Sequence, residues 1–283
     1  MSQTEKKFLN SNKSYILALF LRTMTKNNIM KIIWSLLFIA FSLKGFSQPN
    51  KENKPSKEEK PSRDYKDLLS LFVDKKYENV LNKAENYTTG ENTKKDAIPY
   101  LYISMSLYEM SKIEKYTKRE EYKNAFKDAM KYASKYAAKD KEKKYLDEFP
   151  DFFINFHKDV AVEGVLMYEN QKYSKAKAFY DCLADIDPND AGAHLMLALT
   201  YSHDKKNKES EIEFAKAKEL LSSKSYSTRN DEIKKLLKSS LILYADELGE
   251  ASDKKKAAEW MGYANELFED DPEWQIQYKS VSE

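Results

Sequence analysis

Three histidines and one cysteine are the side chains of this chain best suited to metal binding or nucleophilic chemistry, and their spacing assigns them to neither. His157, His194 and His203 lie far apart, and none stands in an H-E-x-x-H pattern, which would set two imidazoles one helical turn apart on a zinc ion. His157 and His194 each open an apolar-periodic segment, so stacking of those segments can bring them together, but no ligand motif accompanies either. Cys182 falls on a helical face, where a thiol serves as a small packed side chain, and as the only cysteine it can form no intramolecular disulfide. Glycine-rich phosphate loops, nucleophile elbows and Cys/His constellations are absent from the sequence. Glu120-Glu121 and Asp270-Asp271 read as solvated charges near helix ends. After residue 63 the only arginines are Arg119 and Arg229, too few for clustered guanidinium recognition of phosphate. No catalytic residue, cofactor or metal is therefore expected.

The elements that carry these residues are helical. The 283 residues include 6 Gly and 7 Pro against 20 Tyr, and 33% are charged, a composition with few breakers and many helix formers. The net charge of +2 hides an asymmetry. Residues 1–47 hold seven Lys/Arg and one Glu, which leaves the remainder at −4, with Lys and Glu interspersed. That pattern argues against a nucleic-acid partner, which selects a one-signed basic footprint.

Residues 30–47, MKIIWSLLFIAFSLKGFS, read as a secretory signal peptide that starts at Met30 and is cut after Ser47. Its apolar run of about 12 residues is short for a bilayer span, which needs about 20. The 29 residues before Met30 read as a gene-model extension. Residues 48–63 hold no core-forming side chain and read as a disordered Lys/Glu/Pro linker. From residue 64 to 283 helical periodicity takes over.

Within that region, residues 157–190 form one helix-turn-helix unit. Gly164 sits inside the first apolar-periodic helix, Ala176 and Tyr180 recur on the second, and Pro188 ends the unit. A copy follows at an offset of 34 residues, in which Ala198, Ser210, Phe214 and Ala217 carry the same pattern. Looser copies run through Tyr122, Ala125 and Ala129, and through Leu241, Tyr244, Ala257 and Met261. A helix is expected from about residue 119 to 138, and the polar stretch 139–149 interrupts the period. At these residues the chain resembles the tetratricopeptide repeat (TPR) family. The resemblance implies an all-α, right-handed superhelical solenoid of antiparallel helix pairs, about four to five repeats long. Gly164 with Ala176, and Ala198 with Ser210, are the expected close-contact pairs at helix crossings.

The family's groove-lining positions correspond here to Leu101, Met105, Tyr108, Ala161, Val165, Tyr168, Leu195 and Leu199. That stripe is apolar and lacks the Lys and Asn of the family's carboxylate-clamping variety. The resemblance implies a scaffold or adaptor that captures a peptide or amphipathic helix of another protein, and the leader at 30–47 adds the expectation that it is exported, periplasmic or associated with the bacterial cell envelope. Burial of part of the stripe by neighbouring helices is the competing expectation. A different class of function is a glycan or small-molecule capture module, with Trp260 and Trp274 exposed for stacking.

Overall fold

The computed structural model describes residues 64–283. The leader expected at 30–47 and the linker expected at 48–63 lie outside them. Among the described residues there are twelve α-helices and no strand. They are α1 (Lys66–Val73), α2 (Tyr77–Thr89), α3 (Ile98–Ser111), α4 (Glu114–Thr117), α5 (Ala125–Lys139) and α6 (Pro150–Glu169). Then come α7 (Tyr173–Ile186), α8 (Ala191–His203), α9 (Asn207–Leu221), α10 (Asp231–Glu250), α11 (Lys254–Gly262) and α12 (Pro272–Ser282). None is long and apolar enough to cross a membrane.

Packing follows chain order. Helix α3 lies against α2 and α5, α7 against α5, α6 and α8, and α8 against α7, α9 and α10. Helix α10 takes α11 and α12 and also reaches back to α6. The arrangement turns on α3 and α8, which have no polar face. From Ile98 to Tyr108 every residue of α3 is buried, and α8 buries every residue from Ala191 to Thr200 except His194. A helix that is apolar all round must be covered all round. The covering helices are amphipathic: α5 turns Ala125, Ala129, Ala133 and Tyr136 inward and leaves its lysines outside.

Small residues let these helices meet closely, and hydroxyls at the crossings satisfy backbone groups of the neighbour. The Ser104 hydroxyl of α3 donates to the Ala129 carbonyl of α5 at 2.8 Å, and the Ser210 hydroxyl of α9 donates to the Ala198 carbonyl of α8 at 2.8 Å. Gly164 faces Tyr180 and Phe179, with the Tyr180 ring only 2.9 Å from where a Cβ would stand. At Gly192 the space is tighter in kind, because an added Cβ would lie 2.8 Å from the backbone nitrogen of Leu237 on α10.

The same reversal joins four helix pairs. Lys75, Gln171, Lys205 and Ser252 all have φ between 58° and 61°. In each case the next residue's N–H reaches five residues back: Lys76 to Leu71, Lys172 to Met167, Lys206 to Tyr201, and Asp253 to Leu248, at 2.8–2.9 Å. This is a helix C-terminal turn with one left-handed residue, a position that favours glycine. The pair α3 and α5 departs from it. The helix expected from about residue 119 begins only at Ala125; before it stand α4, which seats the buried Tyr116 on the core, and a 3-10 turn at Glu120–Tyr122. Arg119 holds that turn to α2 through Glu78 at 2.7 Å, and the Tyr116 and Tyr122 rings meet edge to face at 5.8 Å.

Two substitutions test this description in opposite directions. Lys205→Gly relieves left-handed backbone strain and is expected to stabilise by up to about 1 kcal/mol. Gly192→Ala drives a methyl into backbone that cannot swing aside and is expected to destabilise by about 1–3 kcal/mol. Urea unfolding of both variants checks the signs.

Candidate functional site

The residues with the most chemical potential are absorbed into structure. His157 is buried and donates from Nε2 to Asp190 at 2.7 Å. Asp190 is fully buried, and its other carboxylate oxygen accepts the Ala193 N–H at 3.1 Å, which caps α8. One carboxylate thus fixes the start of α8 and its seat against α6. His203 stacks on Tyr173, with ring centroids 4.1 Å apart, and points its Nε2 at Glu247 at 3.0 Å. Tyr168 donates to the same carboxylate, so the ends of α6, α8 and α10 share one polar junction. Cys182 is buried, and burial pushes its thiol up to about 12, which leaves no thiolate for chemistry. Among the described residues no group of three or more His, Cys, Asp and Glu side chains converges.

His194 is held above the ordinary imidazole pKa. Burial lowers its pKa, but Glu213 at 2.6 Å from Nδ1, the Pro188 carbonyl at 3.0 Å from Nε2 and the charge of Asp190 together outweigh burial and raise it. Both ring nitrogens face acceptors, an environment that suits the doubly protonated imidazolium.

The stripe read from sequence as a groove is placed differently by the structure. Leu101, Met105, Tyr108, Ala161, Tyr168, Leu195 and Leu199 are all buried, and only Val165 is partly open. The physical reason is the completeness with which α3 and α8 are covered. Tyr108 illustrates it: its ring packs edge to face on Phe152 and Phe156, and its hydroxyl donates to Asp159 at 2.6 Å. The two tryptophans expected to be exposed are buried as well. Trp274 is fully covered and donates from Nε1 to Asn265, while Trp260 packs against Phe214 and Tyr244. Of the repeat-packing residues, Gly164, Ala176, Tyr180, Ala198, Ser210 and Ala217 are buried, Phe214 is partly so, and Pro188 is exposed.

Apolar surface is open on the other face of α6. Val162 is 60% exposed and Leu166 45% exposed, four residues apart and opposite the buried series Phe156, Val160, Gly164 and Tyr168. With Ala161, Val165 and Leu236 of α10 they line a groove of about 440 Å³. Its edges carry Lys158, Lys235, Glu169 and Glu232, two charges of each sign. Sequence periodicity does contain this face, since Val162, Val165 and Leu166 are apolar residues in excess of what the buried stripe of α6 uses. Comparison with protein-family models and with curated proteins gave no match.

A pH test follows from His194. A pKa raised by folding adds stability that is complete below the unfolded value of about 6.5 and is lost as pH climbs through the folded value. The gap in Tm between the native chain and His194→Gln is expected to be widest below about pH 6.5 and to narrow as pH rises above it. A gap that widens over that range would contradict the assigned pairing.

Proposed function

We propose that this protein is an interaction scaffold or adaptor of the bacterial cell envelope that holds an amphipathic helix or peptide of another protein in the groove between α6 and α10. The observation that carries this reading is the pair Val162 and Leu166, exposed at i and i+4 on a helix whose opposite face is fully used for packing. An incoming helix meets such a groove with its own apolar face. The balanced charges on the edges suit a partner of mixed charge and offer no basic track for nucleic acid.

The helix pairs are read as repeats of a TPR-like right-handed solenoid, about four to five in number. The recurring left-handed turn at Lys75, Gln171, Lys205 and Ser252 supports that reading, as does packing between neighbours in chain order. Export by the leader at 30–47 places the scaffold in the periplasm or at the envelope, and the partner is sought there. Burial of Trp260 and Trp274 removes the support for sugar stacking.

Site-specific photocrosslinking in cells tests the groove. A benzoylphenylalanine at Val162 or Leu166 is expected to give one discrete protein adduct, and the same probe at the exposed Ile212 of α9 none. Equal labelling from all three positions, or none from the α6 positions, would remove the groove from consideration.

A further inference from the structure

A second cleft, of about 700 Å³, lies between α5 and α7 and has different chemistry. Phe126, Met130, Met167, Phe179 and Cys182 give it an apolar floor. Its rim carries Lys123, Lys127 and Lys131 from the α5 side and Lys172 and Lys175 from the α7 side, against one carboxylate, Glu163. Lys123 is tied to Glu120. The other four ammonium groups enter no salt bridge or hydrogen bond among the described residues, whereas Lys177, Lys218 and Lys238 each find a carboxylate. Four lysines without a carboxylate partner thus edge one apolar cleft in a chain whose residues after 47 sum to −4.

The cleft also has a direction. Helices α5 and α7 run side by side the same way, as the contacts Phe126 to Phe179 and Cys182 to the Met130 carbonyl show. Both therefore point their starts the same way, that of α7 reaching about 7 Å beyond that of α5, and Asn124 and Lys172 stand at the N-cap positions without a side-chain cap bond. Lys123, Lys127, Lys172 and Lys175 cluster around those two helix starts, and their charge adds to the positive ends of the helices. From there the apolar floor runs toward Ser134, about 16 Å along α5.

We propose that this cleft binds a free single-chain anionic amphiphile, a medium-chain fatty acid, with its carboxylate at the lysines of the two helix starts and its acyl chain along Phe126, Met130 and Phe179. Charge selects an anion and the floor selects an apolar chain. The volume is that of a small-ligand site. Two methionines in the floor let it adjust to a flexible chain. This site stands independently of the α6 groove, and neither reading depends on the other.

Isothermal titration of the full chain with laurate, below its micelle concentration, tests the proposal. Expected are one saturable site per chain, binding about tenfold tighter for laurate than for decanoate, and none for dodecyltrimethylammonium, which has the same tail and the opposite charge. The double variant Lys127→Glu, Lys175→Glu alters exposed side chains only. It should weaken laurate by about tenfold while its ligand-free melting curve lies at or above the native position, since an acid in the first turn suits the helix end. Laurate binding no tighter than the cationic amphiphile, or unchanged affinity in the double variant, would overturn the site. Binding to phosphatidylglycerol vesicles without binding of free laurate would overturn it too, and would mark the face as a membrane contact.

Discussion

Everything in this fold depends on covering two helices that have no polar side. Helices α3 and α8 can be stable only if other helices surround them, and the surrounding helices can come close enough only where small residues line the crossings. Ala129, Ala133, Ala176, Ala198 and Ala217 are all fully buried at such places, and Ser104 and Ser210 bond across to a neighbouring carbonyl. Gly192 lets α8 approach the backbone of α10, and Asp190 caps α8 while fixing it to His157 of α6. Remove the close approach and the apolar flanks of both helices face water.

That constraint also decides which apolar surface stays open. Side chains buried within the packing of α3 and α8 are unavailable, which takes Leu101, Leu195 and Leu199 out of the open surface, while Met105 and Tyr108 reach only the floor of a cleft of about 460 Å³ beside Phe152. What stays open is apolar surface that the covering helices carry on their outer sides. On α6 this is the Val162 and Leu166 face with balanced charge around it, and between α5 and α7 it is a lysine-edged cleft. The two surfaces differ in charge.

Much of this was legible in the sequence, and the exceptions have physical causes. Helix content followed from composition, and α6 to α9 followed from the spacing of Gly164, Ala176, Ala198 and Ser210. The polar interruption at 139–149 coincides with the turns between α5 and α6. The groove was misplaced because periodicity says which residues share a face but not whether another helix lies over it. For α3 there was no face to choose, since nearly every position is apolar or small. The recurring left-handed turn was not marked by residue type: Lys75, Gln171, Lys205 and Ser252 are lysine twice, glutamine and serine, and none is the glycine or asparagine that marks such a position. The break at α4 depends on Tyr116 and Arg119 finding partners distant in sequence, which local pattern does not encode.

The central claim is that the surface left for function lies on the outer side of α6 and that the apolar stripe of α3 and α8 is core. Thiol labelling of the native protein measures this directly. In a Cys182→Ala background, single cysteines at Val162 and Leu166 should react with a maleimide at a rate near that of a free thiol. Cysteines at Met105 and Leu199 should stay unlabelled until denaturant is added. Rapid native labelling at Met105 and Leu199, with protection at Val162 and Leu166, would contradict the account.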